Sequence, residues 1–262
     1  MRNILSKFKS FSSKIELNVN KIGYKPKILS VEEINKYKED GVLVKRDLLT
    51  QEEKQNLLKW TDQIYNFKDD VLMSNYEMDK KTGSKKLARR ENFLRLIPDY
   101  EKFVNGKIND VCSDLFGELA VIYKEKVNFK LSGGGPFSAH QDAPAFFTYG
   151  VKDHITITIA VDKWTVENGG LEVVRKRHNE GVMPHTDKLQ LTKEVIDKLK
   201  WEFIEADLGD VVLFSSYTPH RSGPNLTNKP RRVHYLTFNK LSEGSFRDQY
   251  YKDNISYFNN FL

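Results

Sequence analysis

Cysteine is almost missing: Cys112 is the one thiol in 262 residues. No intramolecular disulfide framework can form, which fits a reducing compartment, and a cytoplasmic location is the expectation. Also lacking are an apolar run of roughly 18 residues and a secretory apolar region, so neither a transmembrane span nor a signal peptide is expected. Charge of one sign is in surplus only at the N-terminus. Of the net +6, residues 1–30 hold seven basic side chains and one acid, and the remainder carries 35 of each sign. Nucleic-acid binding needs a basic stripe across a folded face, and a surplus confined to a tail does not provide one. Repeats and low-complexity segments are absent too.

What is present begins with that tail. Ile4, Phe8, Phe11 and Ile15 recur at helical spacing among lysines and serines, which predicts a basic amphipathic helix within a tail over 1–29. Docking on the domain or a partner subunit is the plain reading of such a stripe; a membrane surface, through residues 1–20, or targeting is the alternative. Residues 30–262 read as one domain. Ser30-Val-Glu-Glu33 and Thr50-Gln-Glu-Glu53 have capping-box form and predict helices over 31–39 and 51–66, with a short strand at 42–44 between them. Two extended segments follow within 71–97, around the turn Lys80–Lys85, and then a helix over 100–116. From 119 the pattern changes to strands, at 119–131, 137–142, 154–162, 170–174, 201–205, 211–215, 219–223 and 231–239. A helix is expected to be inserted within 187–199. A helical front over about 30–118 and a strand-rich core over about 119–240 predict a mainly β fold, a sandwich or barrel buttressed by helices.

The chemistry concentrates in two segments. In a strand, residues i and i+2 share a face, so His140 and Asp142 of His-Gln-Asp can reach one metal from a single extended stretch. A distant histidine, His220, completes two imidazoles and one carboxylate. That set covers one side of an octahedral ion and leaves positions open for substrates, as in non-haem Fe(II) oxygenases. The tripeptide alone is weak, and its surroundings give it weight. Alternation over 124–131 puts Lys124, Lys126, Asn128 and Lys130 on one face and Val127, Phe129 and Leu131 on the other; over 154–162 it groups Thr156 and Thr158 against Ile155, Ile157 and Ile159. With the apolar faces under the helices, Asn128 and Thr158 are expected to look into a cavity; the alternative, usual in antiparallel sheets, is that the polar faces meet solvent, and for the lysines the pattern does not choose between the two.

Three blocks carry a resemblance: Asn128-Phe-Lys-Leu-Ser-Gly-Gly-Gly-Pro-Phe-Ser-Ala-His140-Gln-Asp142, Glu167-Asn-Gly-Gly-Leu171, and Leu208-Gly-Asp-Val-Val-Leu-Phe214 continuing to His220-Arg-Ser-Gly-Pro-Asn and Arg231. They resemble the phytanoyl-CoA dioxygenase family of Fe(II)/2-oxoglutarate oxygenases over about residues 30–250. The resemblance implies a double-stranded β-helix, or jelly roll. It implies His140, Asp142 and His220 as metal ligands, Arg231 and Ser222 on the distal carboxylate of 2-oxoglutarate, with Thr158 beside them, and O2 as second cosubstrate. Arg232 is the rival to Arg231, and the eleven-residue spacing from His220 selects Arg231. A carboxylate at Asp142 argues for hydroxylation, since related halogenases have a small residue there. The family's Pro-Gly-Ser-His is replaced by Arg175-Lys-Arg-His178, and His154, His178, His185 and His234 are expected to make structural contacts.

Ala88-Arg-Arg-Glu-Asn-Phe93, His140-Gln-Asp-Ala-Pro-Ala-Phe146, Tyr217–Asn225 and Asn239–Arg247 with Tyr250-Tyr251 are similar to the branch that hydroxylates small organophosphonates such as 2-aminoethylphosphonate. The implied substrate contacts are Asn128, Gln141, Arg89, Arg90 and Lys126, with Lys130 a further cation and Glu91 or Asp162 for an ammonium. The alternatives are the same chemistry on another small polar metabolite, or a metal-retaining binding protein without turnover.

Overall fold

The computed structural model describes residues 23–68, 72–78 and 83–259, except the side chains of 255–259. The amphipathic N-terminal pattern and the first half of the Lys80–Lys85 turn lie outside the described residues. Both capping boxes form. The Ser30 hydroxyl accepts from the Glu33 amide at 3.2 Å, and the Glu33 carboxylate accepts from the Ser30 amide at 2.9 Å. This starts α1 (Val31–Asp40), which ends at Gly41 in the left-handed region (φ 71°). The same exchange between Thr50 and Glu53 starts α2 (Gln51–Asn66). The helix expected over 100–116 begins earlier, as α3 (Pro98–Phe103), because a proline in the first turn has no amide to leave unbonded. A π-helical turn over Val104–Ile108 then leads into α4 (Asn109–Phe116).

Among the described residues, eleven strands make two antiparallel sheets. The larger has seven, β1 (Val42–Lys45), β2 (Met73–Met78), β3 (Lys85–Glu91), β4 (Ala120–Lys130), β6 (His154–Ala160), β9 (Val211–Ser215) and β11 (Arg231–Lys240), in the order β1-β9-β6-β11-β4-β3-β2. The smaller has β5 (Phe137–His140), β7 (Leu171–Val173), β8 (Glu202–Phe203) and β10 (His220–Ser222), in the order β5-β10-β7-β8. Short helices α5 (Ala143–Phe146) and α6 (Lys193–Ile196) lie in connections, and α6 falls within the insertion expected over 187–199. A last helix, α7 (Arg247–Asn259), was not foreseen.

The main core lies outside the jelly roll, between the helices and one face of the seven-stranded sheet. Leu57, Trp60, Ile64 and Tyr100 pack there on Val127, Phe129, Ile155, Ile157, Ile159, Leu213, Leu236 and Phe238. Each such side chain fully withdrawn from water contributes about 1.5–3 kcal/mol. Val212, Phe214, Val233, Trp164, Leu171 and Val173 fill a second cluster. Burying the apolar residues under the helices turns the alternate residues of β4 and β6 to the opposite face, where the polar groups collect. No helix among the described residues is long and apolar enough to cross a membrane.

Candidate active site

His140 and His220 are direct cross-strand partners in the β5–β10 pair, with ring centroids 4.2 Å apart. The Asp142 Oδ1 atom lies 3.7 Å from His140 Nε2 and 3.8 Å from His220 Nε2. One ligand atom from each of the three lies within 4.8 Å of the others, so the cluster could hold a metal ion. Asp142 arrives by a route other than the expected one. β5 ends at His140, and Asp142 has helical backbone angles (φ −73°, ψ −31°) at the head of α5. Pro144 favours that helical start over a longer strand, and Thr156 of β6 donates to Asp142 Oδ2 at 3.1 Å. A turn and a neighbouring strand, rather than side-chain alternation, aim the carboxylate.

Both imidazoles are set by backbone. His140 Nδ1–H donates to the Ser138 carbonyl at 2.7 Å and His220 Nδ1–H to that of Thr218 at 3.0 Å, which leaves each Nε2 lone pair toward Asp142, the orientation a metal requires. Burial first, and His140 next, lower the His220 pKa to about 4. Burial opposes the charge on Asp142, but His220, His140, Lys126 and Lys124 outweigh it and lower its pKa to about 2. At neutral pH this is a neutral His220 beside an ionised carboxylate, the ligating forms of both.

Arg89, Lys124, Lys126 and Asn128 line the cavity over this cluster, together with Phe137, Phe146 and Tyr235. Its volume is about 110 Å³. Arg89 Nε donates to Asn128 Oδ1 at 3.2 Å, as their opposed register on β3 and β4 dictates. Lys126 is lowered to about 7, by burial first and then by Arg89 and Lys124. Arg90 faces the other way. It opposes Val127 on the helix side of the sheet and reaches the Tyr65 carbonyl at 3.4 Å. Gln141 is also outside the lining: its amide nitrogen donates to the carbonyls of Gly181 and Tyr217, and its oxygen accepts from the Met183 amide. Asp162 is committed to Arg232, which donates to it at 2.9 and 2.8 Å from the outer surface of the sheet.

Arg231, two per cent exposed, points inward instead. Its Nε donates to the Asn168 carbonyl at 3.3 Å, and its Nη1 is buried with no hydrogen-bond partner among the described residues. The approach of Asn168 depends on Gly169, at φ +69°, where a Cβ would stand 2.2 Å from the Gly223 carbonyl oxygen. Lys130 opposes Arg231 on β4 and donates to Ser222 Oγ at 2.8 Å and to the Gly223 carbonyl. It therefore sits with the arginine rather than with the cations over the cluster. Burial and then Arg231 lower its pKa to about 7. A buried guanidinium, a buried lysine amine and a hydroxyl thus converge, with the guanidinium Nη1 unsatisfied, an arrangement that calls for an anion. Thr158 is buried and spends its hydroxyl on the Val212 carbonyl at 3.1 Å. Sequence reasoning missed the support that Thr156 gives Asp142; its only signal was a place on the same face of β6 as Thr158. The other histidines have structural partners: His234 bridges Thr61 and Tyr100, and His154 packs on the rings of Tyr123 and Phe146.

Two relatives match most of the chain. A protein of Gimesia maris named methylphosphonate hydroxylase is 38% identical over 227 residues, 86% of this chain and 86% of its own length. One from the uncultured bacterium HF130_AEPn_1, named 2-aminoethylphosphonate dioxygenase, is 37% identical over 229 residues, 85% and 86%. Among solved structures, EctD from S. alaskensis with bound Fe aligns with a TM-score of 0.66 over 82% of this chain and 78% of its own, at 22% identity, a likeness of fold. The phytanoyl-CoA dioxygenase (PhyH) family matches residues 37–233, a span that runs from α1 into the arginine strand and makes this chain a member of that family and a dioxygenase.

Proposed function

We propose that the protein is an Fe(II)- and 2-oxoglutarate-dependent hydroxylase of small organophosphonates, the class that includes 2-aminoethylphosphonate, acting on the carbon next to phosphorus. The observation that carries this reading is the juxtaposition of the His140–Asp142–His220 cluster with a cavity lined by Arg89, Lys124 and Lys126. A metal site and an anion site share one space. Relatives named for methylphosphonate and 2-aminoethylphosphonate, similar over most of the chain, favour a phosphonate as that anion.

The residues fit the groups this chemistry needs. Two imidazole nitrogens and one carboxylate suit Fe(II) and leave positions open. The unpartnered Nη1 of Arg231, with the Ser222 hydroxyl accepting from Lys130 and so keeping its own proton to donate, suits the distal carboxylate of 2-oxoglutarate. A guanidinium offers that carboxylate two parallel donors, which lysine cannot. Iron with 2-oxoglutarate and O2 supplies, when bound, an oxidation able to hydroxylate an unactivated C–H bond, with release of succinate and CO2. The chain's part is to hold and orient. The Ser138 and Thr218 carbonyls fix the two rings, Thr156 fixes Asp142, and Arg89 and Lys126 anchor the phosphonate. The cavity, about 110 Å³, is far below the ~300–1,000 Å³ of drug-sized sites, so it suits a small substrate better than a bulky thioester.

The test is turnover by anaerobically Fe(II)-loaded protein given 2-oxoglutarate, O2 and a panel of phosphonates, amino acids and acyl thioesters. Succinate and a product heavier by one oxygen are expected together with phosphonates. Coupling with another class alone would reject the substrate reading, and no O2 activation with any compound would reject the enzymatic one.

A further inference from the structure

Resting on the 2-oxoglutarate reading, we propose that Lys130 is a second partner of the cosubstrate's distal carboxylate, and that cosubstrate binding delivers a proton to its amine. The bonds of Lys130 complete an amine and not an ammonium. Its Nζ donates to Ser222 Oγ at 2.8 Å and to the Gly223 carbonyl. These use both hydrogens of a neutral amine, and the third hydrogen of an ammonium has no acceptor among the described residues. The Phe137 ring, its centroid 5.0 Å from Nζ, covers the amine with a π face that favours a cation without replacing that acceptor. The residue is only 5% exposed, so bulk water does not fill the place.

Arg231 is incomplete beside it. Register sets the arginine directly opposite Lys130. Arg231 Nε holds the Asn168 carbonyl and Lys130 holds that of Gly223, and these two loops touch: a Cβ on Gly169 would stand 2.2 Å from the Gly223 oxygen. Arg231 Nη1 is left without a partner. One carboxylate, with two oxygens to share, can accept from Nη1, from the Ser222 hydroxyl and from the third Nζ hydrogen.

The proton comes with the carboxylate. In the empty site burial and then Arg231 lower Lys130 to about 7, and Glu77 on β2 opposes them. Arg221, next to Ser222 on β10, is forked onto Glu172, and β5 presents the Phe137 ring. A carboxylate set between Arg231 and Lys130 offsets the arginine's repulsion and favours the ammonium. Above pH 7 the empty site therefore holds mainly an amine that binding must protonate, and cosubstrate affinity falls as the pH rises. Below that value the ammonium is already formed, and this contribution is level.

Anaerobic calorimetry on the Fe(II)-loaded full chain, at about one pH unit above 7, tests this. Titrating 2-oxoglutarate in two buffers of different ionisation enthalpy should show net uptake approaching one proton. Kd should rise by up to about tenfold per pH unit above 7. 2-Oxobutyrate, which lacks the distal carboxylate, should bind without that uptake. Lys130→Met should remove the uptake and raise Kd at neutral pH by at least about tenfold. On a Ser222→Ala background the same substitution should still raise Kd, whereas a lysine that only props the serine would then add nothing, which would overturn the direct contact. Should the methionine variant fail to fold, Lys130→Arg keeps a fixed charge and should lose the uptake while retaining affinity. No proton uptake by the parent, equal uptake with 2-oxobutyrate, or uptake that persists in a folded Lys130 variant would overturn the proposal and leave the cosubstrate reading standing. A parent chain that does not bind 2-oxoglutarate would remove that reading and the proposal with it.

Discussion

Arg231 and Arg232 are adjacent, chemically identical and opposite in role. One is buried with an unpartnered Nη1, and the other is forked onto Asp162 at the outer surface. Replacing Arg231 by alanine should weaken 2-oxoglutarate by about 2–5 kcal/mol, because a buried carboxylate would lose its charged partner. Measured as apparent KM, that is at least a thirtyfold rise, roughly, while Arg232→Ala should leave it near the parent value. Gln141 lies between two proposed metal ligands, yet its amide satisfies three backbone groups. Gln141→Leu should therefore act on stability, by about 2–4 kcal/mol in denaturant unfolding, since each buried orphan costs about 1–3 kcal/mol. A normal midpoint with lost substrate affinity would return Gln141 to the cavity.

Pairing of elements brings the cluster together. The β5–β10 register sets His140 opposite His220, and β6 supplies the hydroxyl that aims Asp142. On the far side of the sheet, α7 is anchored to β4 by an ion pair: Arg247 Nε donates to Glu125 Oε2 at 2.9 Å, with Tyr251 bonded to the backbone of the same residue. The side chains of Arg247 and Glu125 are 6% and 0% exposed, so removing one partner leaves a buried charge. Arg247→Met should destabilise by about 3–5 kcal/mol, and adding Glu125→Leu should recover part of that loss. An additive double variant in thermal or denaturant unfolding would contradict the coupling. Because Tyr250 of the same helix accepts from Lys124, loosening α7 should also raise the KM for the proposed phosphonate substrate.

Across the whole molecule, two linkages follow from buried titratable groups. His234 sits in the main core between Thr61 and Tyr100, and burial, with Arg232 adding, lowers its pKa from 6.5 to about 3. Above 6.5 the group is neutral in both folded and unfolded chains, and its full contribution is present. As the pH falls from 6.5 toward 3, the unfolded chain takes up a proton that the folded chain refuses. Stability is then lost at up to about 1.4 kcal/mol per pH unit from this residue. His234→Phe should flatten that acid limb, read from denaturant midpoints at a series of pH values. The second linkage is metal. Anaerobic Fe(II) at about a hundred times its Kd should stabilise the fold by about 2.7 kcal/mol, a rise in Tm that Asp142→Ala should abolish. An equal rise in that variant would move the ion elsewhere.

The sequence by itself determined whatever rests on short-range physics. Two capping boxes marked the starts of α1 and α2 to the residue, and strict alternation in β4 separated Lys124, Lys126 and Asn128 from Val127 and Phe129 before any strand was placed. The motif residues around His140 and His220 were legible for the same reason: their spacing is local. Tertiary structure decided what depends on partners distant in the chain. It turned Arg90 to the helix side and Arg89 to the cavity, through their register against Val127 and Asn128. It took Lys130 from the substrate cations to Ser222, 92 residues away. It gave α7 a place that its own weak amphipathicity does not announce, because its anchor is Glu125 on β4. It also set Lys124, Lys126 and Lys130 over the rings of Phe146, Tyr235 and Phe137. Periodicity reports which face a side chain takes, whereas the charge crowding of a cavity is a sum over strands that meet only in the folded chain.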